Sequence, residues 1–156
     1  MPSYYFDSSA LVKYYVQETG TAWVQTLIAP NVGNETLTAI VTGPEIVAAL
    51  TRRVRTGLTT QADATVAINA FRYDFQTRYN PIAISPNIIL QAMRLAERHG
   101  LRGYDSIQLA CAVTVNAGFI SGSIIPLTFI SADAALNQAA LAEGLIVDDP
   151  NNHCEL

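Results

Sequence analysis

The sequence predicts an α/β sandwich on a central, mainly parallel sheet. Two observations predict it. Short apolar runs alternate with longer stretches of helical periodicity along most of the chain, and helix-start and helix-stop residues separate them. No internal repeat, low-complexity tract or long linker divides the chain, so residues 1–150 read as one domain with a short polar tail at 151–156.

Tyr4 to Phe6 form a short strand ending at Asp7, after which Ser8 or Ser9 caps a helix carrying Leu11, Val12, Tyr15 and Val16. Thr21 to Ile28 make a second short helix, Asn31 to Asn34 a loop, and Leu37 to Val41 a strand. Thr42-Gly43-Pro44-Glu45 is a helix start: proline suits the first turn, and Glu45 lies beside the positive end of the dipole. Ile46, Val47, Leu50 and Val54 supply its apolar stripe, and Gly57 ends it. Thr60, with Asp63 three residues on, opens a helix running towards Tyr79, and Asn80-Pro81 then breaks the chain. Ile82 to Ser85 form a strand, Pro86 opens another helix and Gly100 closes it. Gly103 precedes a helix from about Tyr104 to Ala117, closed by Gly118. Leu127 to Ser131 are a strand, Asp133 to Glu143 a helix stopped by Gly144, and Leu145 to Val147 the last strand. Right-handed crossovers bring strand C-termini and the following helix N-termini to one sheet edge, outside which open sheets bind ligands.

The chain has 156 residues, of which 50% are hydrophobic and 14% charged, which suits one substantial core and excludes a disordered chain. Asp7 interrupts the first apolar run, so no signal-peptide pattern opens the sequence, and no stretch is long and apolar enough to span a bilayer. Cys111 and Cys154 have no metal-site or redox spacing, and Cys111 reads as a buried small hydrophobe. The expectation is a cytoplasmic protein without a membrane partner. A net charge of −4 argues against a general nucleic-acid coat but is compatible with an acidic nuclease site. Lys13 is the only lysine; Arg52, Arg53 and Arg55 cluster, and Arg72, Arg78, Arg94, Arg98 and Arg102 follow. Arginine suits bidentate phosphate contacts, and it equally suits a solvated helix face.

On this plan Asp7 ends the first strand and Asp133 follows the strand ending at Ser131, while Glu45 and Asp105 sit in first helical turns. Each acid taken alone has the ordinary reading of a cap or a dipole partner. Gathered at one edge, like charges raise one another's pKa, and a divalent cation with oxygen ligands resolves the conflict. Such an ion activates water and stabilises developing phosphorane charge, which points to metal-assisted phosphodiester hydrolysis.

At these residues the chain resembles the PIN-domain family, and within it VapC-like toxins of toxin–antitoxin pairs. Tyr5-Phe6-Asp7-Ser8-Ser9-Ala10-Leu11-Val12-Lys13 resembles the opening strand, metal-binding Asp and helix. Pro44-Glu45-Ile46-Val47-Ala48-Ala49-Leu50, followed by Arg52 and Arg53, resembles the segment bearing the second acid. Leu101-Arg102-Gly103-Tyr104-Asp105-Ser106-Ile107-Gln108-Leu109-Ala110 resembles the third, and Phe129-Ile130-Ser131-Ala132-Asp133, running on through Ala139 to Leu145, the fourth.

The resemblance implies a three-layer α/β/α sandwich with Mg2+ or Mn2+ in an acidic pocket. It implies endonucleolytic cleavage of RNA to a 5′-phosphate and a 3′-hydroxyl, a cognate antitoxin and a homodimer. By carry-over Asp7, Asp105 and Asp133 are metal ligands, and Glu45 is a ligand or orients the water. Ser8 and Ser131 fall at small hydroxyl positions near the metal, where capping is the alternative role. Arg52, Arg53 and Arg102 are candidates for the RNA backbone. Tyr104 is a candidate for stacking a base or for the core. Two features depart from the pattern. Gln108 stands where many relatives carry His, and the apolar stretch Gly118 to Pro126 is longer than the usual turn and reads as an interface loop.

Three competing readings remain. A receiver or haloacid-dehalogenase-type domain also places acids at strand ends, but position 9 is Ser rather than the second acid, and Lys13 lies after the first strand rather than the last. A catalytically silent PIN-like scaffold would keep the fold and bind only a partner. A housekeeping PIN nuclease would keep the chemistry without an antitoxin.

Overall fold

Successive side chains of a strand point to opposite faces of its sheet, and in the first strand, Ser3–Phe6 (β1), this sorts the whole molecule into layers. Tyr5 faces one core and stacks on Phe129, their ring centroids 5.7 Å apart. Tyr4 and Phe6 face the other core, with Leu11, Ile46, Leu50 and Phe71. The computed structural model describes residues 1–153. β1 is joined by Glu35–Ala39 (β2), Asn80–Ile82 (β3), Thr128–Ile130 (β4) and Ile146–Asp148 (β5) in one sheet of order β3-β2-β1-β4-β5. Every pairing is parallel.

On the Phe6 face lie Ser8–Leu11 (α1), Thr21–Ile28 (α2), Thr42–Arg55 (α3) and Gln61–Thr77 (α4). On the Tyr5 face lie Pro86–His99 (α5), Gly103–Ser121 (α6) and Ala134–Ala142 (α7). The architecture is the three-layer α/β/α sandwich expected, with a sheet that is wholly parallel. Among the described residues no helix is long and apolar enough to cross a membrane.

Local chemistry explains most boundaries. The Thr60 hydroxyl accepts from the Asp63 amide to open α4, and Ser85 accepts from Ile88 to open α5 with Pro86 in its first turn. Gly100 closes α5 in the left-handed conformation, at φ 65°.

Several strand and helix ends shift by one residue from the sequence expectation, and four places differ in kind. The cap of α1 is Asp7 itself, whose carboxylate accepts from the Ala10 amide at 3.0 Å, and Val12–Tyr14 continue as a 3-10 turn short of Tyr15 and Val16. β2 begins at Glu35 rather than Leu37 and stops at Ala39, because Ile40 and Val41 already accept from Gly43 and Glu45 and so belong to the turn into α3. Asn80-Pro81 does not break the chain ahead of a strand but starts one: β3 is an edge strand, where a residue without an N–H is tolerated, and Pro81 pairs with Thr38. α6 runs through Gly118 to Ser121, so that Gly118 to Ser121 are helix rather than loop. It ends in a Schellman arrangement in which the Ile124 amide donates to Phe119 O and the Ser123 amide to Ile120 O. The left-handed residue there is Ser123 (φ 57°), not a glycine.

Of the tail expected at 151–156, residues 151–153 are described. Pro150–Asn152 make a 3-10 turn, and His153 stacks on Trp23 at 3.8 Å while bonding Asp148 at 2.8 Å. Residues 154–156, Cys154 among them, lie outside the described residues. Gly20 (φ 86°) lets this turn approach, since a Cβ there would lie 2.3 Å from the Pro150 carbonyl oxygen.

Candidate active site

The sheet reverses its order beside β1, which has β2 on one side and β4 on the other. Such a switch point opens a crevice at the strand C-termini. Asp7 is the first residue beyond β1, and its amide donates to Ile130 O of β4 at 3.1 Å. The residue is buried, 3% exposed, and its carboxylate is gripped from three sides. The Ala10 amide donates to Oδ1, Ser131 Oγ donates to Oδ2 at 2.7 Å, and Ser9 Oγ lies 2.7 and 2.9 Å from the two oxygens. Burial pushes this carboxyl up to about 7, against the pull of the hydrogen bonds from Ser131, Ser9 and Ala10.

Ser131 also accepts from the Asp133 amide at 3.1 Å, so one buried hydroxyl ties two acids together. Asp133 caps α7 by accepting from the Leu136 amide. Ser9 adds a second tie between the ends of β1 and β4, accepting from the Ala132 amide at 3.0 Å.

Glu45 enters from the first turn of α3. Ser8 Oγ donates to its Oε2 at 2.7 Å, and Gln108 Nε2 donates to its Oε1 at 3.1 Å. Asp105 enters from the first turn of α6. Burial raises its carboxyl pKa, the Asp133 charge raises it further, and Arg102 pulls it back. The Arg102 guanidinium lies 3.4 Å from Asp105 (Nε to Oδ2) and 3.8 Å from Asp133 (Nη2 to Oδ2).

Asp7, Glu45, Asp105 and Asp133 all line one cleft of about 640 Å³, together with Ser8, Arg52, Arg102 and Tyr104. Ser131 lies beneath it, fully buried. Arg53 does not reach the cleft: its guanidinium pairs with Glu18 at 3.6 Å on another face. Tyr104 is 62% exposed, which excludes the core role. Lys13 is buried and bound to Glu18 and Thr19 O, away from the acids, so the receiver-type reading has no lysine at the site.

Sequence reasoning gave no site role to Ser9, Thr42 or Gln108, noting Ser9 only as a possible cap and Gln108 only as a departure from the family pattern. The available signal for Gln108 was its spacing, since it lies three residues after Asp105 on the same face of a helix.

Among the described residues no three His, Cys, Asp or Glu side chains are grouped tightly enough to hold a metal ion as they stand. The donor chemistry of the cleft nevertheless fits a hard divalent cation. Its acids offer only carboxylate oxygen, the preference of Mg2+ and Mn2+. A cationic group already stands between two of them, the Arg102 guanidinium.

No family model matches the chain. It is 32% identical over 115 residues to Ribonuclease VapC45 of Mycobacterium tuberculosis (strain CDC 1551 / Oshkosh), covering 74% of this chain and 78% of the relative. The same figures hold for Ribonuclease VapC49 of Mycobacterium tuberculosis (strain ATCC 25618 / H37Rv). Two solved structures share the fold. VapBC2 from Rickettsia felis, bound to a DNA fragment from its promoter, matches with a TM-score of 0.61 at 14% identity over 94% of this chain and 98% of that one. PAE2754 from Pyrobaculum aerophilum matches with a TM-score of 0.61 at 22% identity over 97% and 94%.

Proposed function

The chain belongs to the VapC family of PIN-domain proteins, and from that premise we propose that it is a metal-dependent endoribonuclease, the cytoplasmic toxin of a toxin–antitoxin pair. The observation that carries this reading is the placement of Asp7, Glu45, Asp105 and Asp133 in one cleft at the sheet switch point.

Asp7, Asp105 and Asp133, with Glu45, would hold Mg2+ or Mn2+, which when bound supplies Lewis-acid stabilisation of phosphorane charge and lowers the pKa of water. The protein's own groups do the rest. Arg52 and Arg102, on the cleft wall, hold backbone phosphates by charge-assisted hydrogen bonds. The exposed ring of Tyr104, next to Asp105, stacks an unpaired base and so favours single-stranded RNA. Glu45, braced by Ser8 and Gln108, orients the attacking water. In-line attack forms a bond from the water oxygen to phosphorus and breaks the bond to the 3′-oxygen; the water gives up a proton and the departing 3′-oxygen takes one up from solvent, leaving a 5′-phosphate and a 3′-hydroxyl.

A cognate antitoxin is the natural partner, as in the VapBC2 complex that shares the fold. Ile120, Ile124 and Ile125, all more than half exposed at the end of α6, supply apolar surface for a homodimer.

The test is cleavage of single-stranded RNA by the purified chain in Mg2+, Mn2+ or EDTA. Cleavage is expected with either ion, absent in EDTA, and reduced on the order of 10²-fold or more by Asp105→Asn. Cleavage that persists in EDTA, or in Asp105→Asn, contradicts the proposal.

A further inference from the structure

Gln108 is 1% exposed and lies one helical turn from Asp105 on the same face of α6. A primary amide so deep costs stability unless its polar atoms are paired, and here all of them are. The Tyr5 phenol donates to Gln108 Oε1 at 2.8 Å. That bond decides which way the amide faces. With the carbonyl oxygen turned to the phenol, the two amide hydrogens face Thr42 Oγ1 at 2.8 Å and Glu45 Oε1 at 3.1 Å. Tyr5 is fully buried, and its burial raises the phenol pKa far enough to keep it a donor.

The network does not stop at Thr42. Thr42 Oγ1 lies 2.7 Å from Thr38 Oγ1, which lies 2.7 Å from the Phe6 carbonyl oxygen, one residue before Asp7. Buried hydrogen bonds thus run from the backbone beside Asp7, through β2 and the start of α3, to the helix that carries Asp105. Glu45 is its outlet into the cleft.

We propose that Gln108 is the positioning residue for Glu45: it fixes the carboxylate relative to Asp105 on its own helix, and Tyr5 in turn fixes Gln108. This inference rests on the ribonuclease reading and refines it. Ser8 alone would leave one carboxylate oxygen of Glu45 without its protein donor. Gln108 touches neither RNA nor the reacting atoms, so its effect belongs in turnover and metal affinity rather than in RNA affinity.

The test compares the parent protein, Gln108→Met, Tyr5→Phe and the double variant Tyr5→Phe/Gln108→Met. Methionine keeps the length of glutamine, and the double variant removes both ends of the buried bond, whereas Gln108→Met alone leaves the phenol only the weak Cys111 thiol as a partner. Gln108→Met alone should melt lower than the parent, and the double variant should regain most of that loss. kcat should stay reduced by about 10-fold in both, as expected for loss of one hydrogen bond to a charged group, with KM for RNA within roughly 2-fold. Mn2+ affinity measured by calorimetry without RNA should fall several-fold alongside kcat. Tyr5→Phe, which frees the amide to turn and leaves its buried oxygen without the phenol donor, should also melt lower than the parent, with a smaller loss of kcat because Gln108 still donates to Glu45.

A double variant with parental kcat and parental Mn2+ affinity would overturn the positioning role and leave Gln108 as a core amide. A parent chain that neither binds Mn2+ nor cleaves RNA would overturn the ribonuclease reading and this inference together.

Discussion

Asp7→Asn is expected to abolish RNA cleavage while making the metal-free protein harder to unfold. The loss of cleavage should be on the order of 10³-fold or more, since the change removes charge from the centre of the site. The gain in stability follows from burial. Asp7 is 3% exposed, and no cation faces it directly among its bonded partners, which are two serine hydroxyls and one amide. An ionised carboxylate there is held at a cost, which is why its pKa rises to about 7. An acid whose folded pKa lies above its unfolded one contributes stability that is complete below the unfolded value and is lost as pH rises through the folded value. In EDTA, therefore, the parent should lose on the order of 4 kcal/mol from this group between about pH 4 and about pH 7. Asp7→Asn should lack that part of the slope, and at pH 8 it should be the more stable protein by about 1–3 kcal/mol, less than the full amount because asparagine offers one acceptor oxygen instead of two. Denaturant melts of both proteins in EDTA from pH 5 to pH 8 measure this. Parallel pH profiles would show that Asp7 is not the strained group described here.

Phe129→Ala should be the most damaging change in the core. Phe129 is fully buried in β4, in register with Tyr5 of β1 and Val147 of β5, and its ring stacks on Tyr5. Truncation to alanine costs about 3–5 kcal/mol, from lost burial and the cavity left behind. A domain of this size has a total stability of roughly 5–15 kcal/mol, so the melting temperature should fall on the order of 10 °C. Phe129→Leu should cost clearly less, because it leaves a smaller void. Because Ser131 and Asp133 follow directly on β4, the loss should reach the cleft. Thermal melts of the two variants make the comparison, and equal losses would contradict the packing described.

What the sequence made legible follows from which features are local. Thr42-Gly43-Pro44-Glu45, Thr60 with Asp63, and Ser85-Pro86 each carry a start signal within one turn, and the helices begin there. Strand ends bearing acids were legible for the same reason, because Asp7 and Asp133 sit at abrupt changes of hydrophobic period. What was not legible depends on partners far along the chain. Gly118 reads as a stop, yet Phe119 beyond it packs on the core and Asn116 before it accepts from the Leu127 amide, so the helix continues. Arg53 follows Arg52 in sequence but pairs with Glu18, because neighbouring positions on a helix face different directions. Gln108 stands out in the sequence only as a departure from the family pattern, with no role attached. Its meaning comes from Tyr5 and Glu45, 103 and 63 residues away.

If the four carboxylates form a cation site, a crystal grown with Mn2+ and measured at the manganese absorption edge will show it. An anomalous peak is expected in the cleft bounded by Asp7, Asp105 and Asp133, with the Arg102 guanidinium displaced from its place between the last two, and no such peak in Asp105→Asn. Manganese bound elsewhere, or a cleft that stays empty at millimolar Mn2+ with Arg102 still between Asp105 and Asp133, would contradict it.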